Sequence, residues 1–281
     1  VKERTIKKLV KGQHAIDGAG VHLVRVIGYN DVKDFDPFLM LDSFDSKQPD
    51  DYIKGFPMHP HRGIETVTYL IKGNIEHQDS LGNKGSIDNG ESQWMSAGSG
   101  ILHQEMPQPS EHLLGLQLWI NLPRKDKMSN PHYMDIRTND IQVMKEEHAT
   151  IRIVSGEYNG MKGIQPRYVD AYIFDVSVDE NYEVTIPTRE VDNVFIFTIQ
   201  GDIEIGGKHI EEKTAVLFDM GDKIRIKGKS KDTRFIYFAG KPLHEPIAWG
   251  GPIVTNTREE LELAFDELNN GTFIKHNAME R

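Results

Sequence analysis

The amino-acid sequence predicts an all-β protein made of two tandem barrels, with one helix near the C-terminal end. Three observations carry this expectation. Short apolar runs alternate at period two and are separated by glycine- and asparagine-rich turns, the pattern of antiparallel strands. A weak internal repeat lays Thr66-Val-Thr-Tyr-Leu-Ile-Lys-Gly-Asn-Ile-Glu76 over Val194-Phe-Ile-Phe-Thr-Ile-Gln-Gly-Asp-Ile-Glu204, with Gly73 on Gly201, which implies two copies of one unit. A helical signature occurs only after Thr257.

Taken in order, Lys2–Val10 and Val21–Ile27 are strand candidates, and Gln13–Gly20 reads as the turn between them. Phe38–Leu41, bounded by Pro37 and Asp42, reads as a buried strand. Thr66–Lys72 runs into a turn at Gly73-Asn74, and Ile75–Gln78 is expected to return beside it as a hairpin. Asp79–Gly85 is a polar loop, and Trp94 and Met95 are expected in the core. Leu113–Leu122 is strongly apolar, with Leu114, Leu116, Leu118 and Ile120 on one side and Gln117, Trp119 and Asn121 on the other. The apolar signal then collapses, which places a linker at 126–140 between a first barrel at 1–125 and a second at 141–281. The N-terminal strands are allowed to cross to the second barrel. Further strands are expected at Gln142–Lys145, Ile151–Ser155, Ala171–Val178, Asn181–Ile186 and Val194–Gln200. Thr257-Arg-Glu-Glu260 is a capping box, with Leu261, Phe265 and Leu268 at helical spacing and Asn269-Asn-Gly271 as the stop.

Composition bounds the function. The chain has 281 residues, which favours two domains of roughly 130 residues each. Its 27% charged and 38% hydrophobic residues suit a folded globular protein. No apolar run approaches membrane-spanning length, and the basic N-terminus lacks the apolar core of a signal peptide, so a cytoplasmic location is expected. With no cysteine, thiolate nucleophiles, disulfides and sulfur-bound metals are excluded, and metal chemistry must use nitrogen and oxygen. A formal net charge of −10 argues against direct nucleic-acid binding. The alternating Lys223, Arg225, Lys227, Lys229 and Lys231 read as the wet face of a strand rather than a binding patch.

Chemistry concentrates between Gly55 and Pro107. On extended strands His59 and His61 point to one side, as do His103 and Glu105. If the two strands are neighbours, three imidazoles and a carboxylate converge and leave one side of a metal ion open, which is a catalytic arrangement rather than a closed structural one. A lone His-x-His is more often a satisfied surface pair; the second pair and the intervening glycines argue for metal. Pro60 cannot donate to a ladder, so His59 and His61 belong at a strand end or a sheet edge. His14, His22, His209 and His244 have no paired neighbour in the sequence and read as surface or structural.

These residues also carry a resemblance. The run holding His59, His61, Glu65 and Gly73 resembles a shortened cupin first motif, and Gly90 to His103 a divergent second one. More specifically, His59-Pro-His-Arg-Gly-Ile-Glu-Thr66 and Ala97-Gly-Ser-Gly-Ile-Leu-His-Gln-Glu-Met-Pro107 resemble the signatures of the pirin family. Asp36-Pro-Phe-Leu-Met-Leu-Asp42, Pro242-Leu-His-Glu-Pro246 and Gly251-Pro-Ile-Val-Thr-Asn-Thr257 are similar to its terminal segments, with Ile64 and Ile253 in place of aromatics. The resemblance implies a bicupin of two jelly-roll barrels and one metal held by His59, His61, His103 and Glu105. Cupins in general use the carboxylate at Glu65; the pirin pattern favours Glu105 and leaves Glu65 behind the ligands or in the core. Three imidazoles and a carboxylate suit Fe(II), which the resemblance also implies, while nickel, manganese, copper or zinc fit the same donors. The implied activity is a quercetin 2,3-dioxygenase reaction on a flavonol-like aromatic with dioxygen, with Glu105 as the catalytic base. The alternative it implies is a regulator that binds a transcription factor or a metabolic enzyme.

The repeat predicts chemically unequal barrels. The overlay sets Pro187, Arg189 and Asn193 against His59, His61 and Glu65, and Arg234 and Ile236 against His103 and Glu105. The second copy therefore lacks a ligand set.

Overall fold

The structure, a computed structural model, describes residues 1–276. The strands of the first half are β1 (Ile6–Lys11), β2 (Gln13–Asp17), β3 (Val21–Ile27), β4 (Phe38–Ser46), β5 (Phe56–His61), β6 (Ile64–Lys72), β7 (Ile75–Asp79), β8 (Lys84–Ile87), β9 (Ser92–Ser96), β10 (Ile101–Pro107), β11 (Leu113–Asn121) and β12 (His132–Ile136). A one-turn helix α1 (Val32–Phe35) precedes β4. Then come β13 (Gln142–Lys145), β14 (Ala149–Ser155), β15 (Glu157–Tyr158), β16 (Met161–Lys162), β17 (Tyr172–Val178), β18 (Glu183–Pro187), β19 (Asn193–Gln200) and β20 (Ile203–Ile205). The chain continues through β21 (Lys208–Ile210), β22 (Thr214–Phe218), β23 (Lys223–Gly228), β24 (Arg234–Gly240), β25 (Ala248–Gly250) and β26 (Ile253–Thr255) to helix α2 (Arg258–Asn270). No helix among the described residues is long and apolar enough to cross a membrane.

The chain divides into two compact units. One holds the seven-stranded sheet β12-β9-β6-β11-β4-β3-β2 and the four-stranded sheet β5-β10-β7-β8. The other repeats the plan with β1-β22-β19-β24-β17-β14-β13 and β18-β23-β20-β21. Strand order thus bears out the tandem all-β bicupin. Alternation explains each core. In the first barrel Val21, Leu23, Phe44, Leu70, Ile75 and Leu113 meet between the sheets, and in the second Ile151, Phe174, Ile196, Val216 and Tyr237 do the same.

Several boundaries differ from the expectation. Residues Val1–Gln13 group with the second barrel, because β1 pairs with β22 and covers what would otherwise be an open sheet edge. Residues 126–140 are not a free linker: β12 lies within them and pairs with β9, its buried apolar Tyr133 and Ile136 being too few to raise the apolar signal. Residues 243–276 group with the first barrel, where Ile253, Ala264 and Phe273 form a small cluster of their own. Gln13–Asp17 is a strand, and only Gly18–Gly20 turn. β6 and β7 are not a hairpin. They belong to different sheets, so Gly73 turns a corner of the barrel.

Helix α2 starts as expected, with Glu260 N donating to Thr257 Oγ1 at 3.2 Å, and Gly271 closes it in the left-handed region. It buries Ala264 rather than Phe265, which is 39% exposed. The repeat overlay holds through Gly201 and then slips. By sheet order β23, not β24, takes the place of β10, and its buried Ile224 and Ile226 fill the second barrel together with Val184 and Ile186. Arg234, set against His103 in the overlay, instead makes a two-pronged pair with the buried Asp175.

Candidate metal centre

β5 and β10 are antiparallel neighbours, and their register sets His103 directly against His59. Among the described residues β5 pairs only with β10, so it is a sheet edge, where a proline is tolerated. Between His103 and Glu105 the register slips by a bulge, which re-aims Glu105 relative to β5. Gly63 brings in the third wall. Its φ is +80°, and a Cβ there would stand 1.9 Å from the Val254 carbonyl oxygen, so only glycine lets β26 run beside residue 62. That approach puts the Pro252 carbonyl within 2.9 Å of His61 Nδ1.

The three imidazoles meet through their Nε2 atoms. His59 Nε2 lies 3.1 Å from His61 Nε2 and 3.0 Å from His103 Nε2, and the ligand atoms of all three fall within 4.8 Å of one another. Carbonyl oxygens only accept, so His61 Nδ1 donates to Pro252 and His59 Nδ1 donates to Pro57 at 2.7 Å. In the neutral rings both Nε2 atoms then carry bare lone pairs, held in mutual contact. Such an arrangement calls for a cation between them, and Nδ1–H to carbonyl is the usual outer support of a metal-bound histidine. Nitrogens about 3.0 Å apart are what right-angled ligands give when metal–nitrogen bonds are about 2.1 Å. His103 and His61 are almost fully buried. Burial and the neighbouring His59 charge hold the His61 pKa down at about 3, and His103 well below the ordinary histidine value, so both rings are ready to ligate at neutral pH. The donor set fits a divalent transition metal.

Glu105 stands next to this cluster without joining its closest group. Gln117 Nε2 donates to its two carboxylate oxygens at 2.9 and 3.2 Å, and Thr68 Oγ1 reaches it at 3.4 Å. Burial pushes the carboxyl upward in pKa, opposed by the His59 charge and these hydrogen bonds. Glu65 is elsewhere, accepting Trp94 Nε1 at 2.8 Å in the core. Trp119 sets its ring edge-on to His61, with centroids 5.1 Å apart, and donates Nε1 to Gln117 Oε1 at 3.3 Å.

A cavity of about 720 Å³ opens over the cluster, lined among others by His59, His61, Glu105, Gln117, Trp119 and Trp249. This volume lies within the roughly 300–1,000 Å³ of small-molecule sites. Sequence reasoning assigns Gln117 and Trp119 to one strand face but gives them no task. It misses Trp249 and the Pro252 carbonyl, although both lie in or beside the segment whose pattern carries the family resemblance. His14 and His22, read as unpaired, sit 3.1 Å apart on the surface across the β2–β3 turn.

A family model described as Pirin matches residues 20–120, and one described as Pirin C-terminal cupin domain matches residues 173–274. A pirin-like protein of Caulobacter vibrioides is 41% identical over 274 residues, covering 96% of this chain and 99% of its own length. A solved quercetin 2,3-dioxygenase from Acinetobacter baumannii is similar at a TM-score of 0.89 and 29% identity, covering 97% of this chain and 99% of that one. A bacterial pirin from Escherichia coli, solved in complex with nickel(II), has a TM-score of 0.66 at 24% identity over 84% of this chain and 99% of its own. At that identity the likeness is one of fold.

Proposed function

The chain belongs to the pirin family, and from that premise we propose that its first barrel is a metal-dependent dioxygenase site of the quercetin 2,3-dioxygenase type. The observation that supports this best is the meeting of three imidazole Nε2 atoms beside a cavity that His59 and His61 line together with the buried Glu105 carboxylate. His59, His61 and His103 would hold the ion, with Glu105 as its carboxylate ligand. When bound, a divalent metal, Fe(II) by preference for this donor set, supplies Lewis-acid polarisation of a substrate hydroxyl and a path for electrons to dioxygen.

The remaining work belongs to the protein. Glu105 takes the proton of the flavonol hydroxyl, and burial keeps its carboxylate basic enough to do so. Gln117 fixes the carboxylate by donating to both oxygens, and is itself fixed by Trp119. Trp119 and Trp249, with ring centroids 5.8 Å apart, offer flat apolar surface to an aromatic substrate and keep water off the reacting face. In the overall reaction the flavonol ring takes up both atoms of dioxygen, opens, and releases one carbon monoxide.

The basic stripe does not favour the regulator reading, since Arg225 faces Glu183 and Glu3, and Lys229 faces Glu204. The test is oxygen uptake by iron-loaded protein given quercetin. Uptake should be present in the wild type and absent from His61→Ala, which should also lose its iron. Uptake unchanged by the substitution would remove the site from the reaction.

A further inference from the structure

The cavity has a second polar end. Thr68, Gln117, Asp42 and Arg25 are successive register partners across β6, β11, β4 and β3. Register partners present their side chains on the same sheet face. The row therefore runs from Glu105, which Gln117 holds, to Arg25. At about 4.8 Å per strand, Arg25 lies two strands, about 10 Å, from Gln117.

Arg25 is clamped there. Its Nε and Nη2 donate to the two oxygens of Asp42, each at 2.9 Å, and Nη2 also donates to Asp17 Oδ2 at 2.9 Å. Gly18 N holds the other oxygen of Asp17 at 2.7 Å. Asp42 is buried, whereas the Asp17 side chain is half exposed, and Asp17, Arg25 and Asp42 all line the cavity. Arg25 Nη1 has no protein hydrogen bond among the described residues. One guanidinium against two carboxylates leaves the cluster net negative, which disfavours an anionic ligand group. A pair of neighbouring hydroxyls fits, one donating to Asp17 and the other accepting from Arg25 Nη1. Between the two ends the rings form a chain: Trp119 beside His61, Trp249 beside Trp119, and Tyr29 beside Trp249 with centroids 5.6 Å apart. That lining suits a flat ring system.

We infer that Asp17 and Arg25 form a hydroxyl-reading subsite, so that the substrate is a flat polyphenol with vicinal hydroxyls on the pendant ring carried next to its metal-facing hydroxyl. The inference rests on the dioxygenase reading for which end of the substrate faces the histidines. The test measures binding without oxygen, by tryptophan fluorescence of anaerobic iron-loaded protein. The probes are quercetin, with two vicinal hydroxyls on its pendant ring, and galangin, the same flavonol without them. Wild type should bind quercetin about tenfold tighter or more, the scale of a hydrogen bond to a charged group. Asp17→Ala should bring quercetin to the galangin value and leave galangin unchanged. Equal affinities in the wild type, a preference that survives the substitution, or no binding of either flavonol would overturn the subsite. A preference lost in Asp17→Ala, in a protein that consumes no oxygen, would uphold the subsite and remove the dioxygenase reading. Oxygen consumption with no preference would do the reverse.

Discussion

Glu105→Gln separates holding the metal from using it. The three imidazoles that approach most closely do not include Glu105, so the variant should keep most of its iron. It should lose the base. Proton transfer by a placed side chain is worth roughly 10²–10⁴ in rate, so oxygen uptake with quercetin should fall by at least about a hundredfold. The structure adds a second penalty. Gln117 Nε2 now donates to both Glu105 oxygens, at 2.9 and 3.2 Å, and an amide at position 105 would turn one of these into a donor facing a donor. To escape, Gln117 must rotate and give up the Trp119 Nε1 bond at 3.3 Å. The assay is the initial rate of oxygen uptake, with iron measured on the same samples. Glu65→Gln is the matched control, because its amide oxygen can still accept from Trp94 Nε1, and it should turn over near the wild-type rate. Iron-replete Glu105→Gln that cleaves quercetin at the wild-type rate would refute the assignment, and loss confined to Glu65→Gln would move the base to that residue.

Two further outcomes follow from the supports of the site. Gly63→Ala must push β26 away from residue 62, which withdraws the Pro252 carbonyl from His61 Nδ1; iron affinity should fall by about 10–100-fold, the usual cost of losing such a support, as read by competition with a chelator. The metal-free protein should also lose stability in acid. Folded His61 has its pKa held at about 3, against 6.5 for the free side chain, so between these values the unfolded chain binds the extra proton. Stability is then full above 6.5, rises with pH in that window, and is lost as pH falls toward 3. Urea unfolding at several pH values should show this slope, and His61→Asn should reduce it, the buried His103 supplying the remainder; an unchanged slope would mean that His61 is not buried neutral.

The histidine cluster is legible in the sequence because it obeys a local rule. Period two puts His59 with His61 and His103 with Glu105, and Pro60 marks an edge that the topology contains. The rest of the site depends on pairing between distant segments. Asp42 and Arg25 meet Gln117 only through the register of β3, β4 and β11, and nothing local to any of the three encodes it. Trp249 and Pro252 arrive from a segment more than a hundred residues beyond the histidines. The linker fails for a related reason. β12 is stabilised by its partner β9 rather than by apolar content of its own, so composition sees a gap where the sheet has a strand. The repeat overlay slips after Gly201 because the loops before β22 and β9 differ in length, and sheet order alone corrects it.

Quercetin also oxidises without an enzyme, so oxygen uptake alone does not separate ring cleavage from simple oxidation. Carbon monoxide release under isotopically labelled dioxygen does. Iron-loaded protein should release one carbon monoxide for each dioxygen consumed and place both labelled atoms in the ring-opened acid, and His103→Ala should do neither. Labelled oxygen recovered as hydrogen peroxide or water, with no carbon monoxide, would contradict the claim that the His59, His61, His103 and Glu105 site is a flavonol-cleaving dioxygenase.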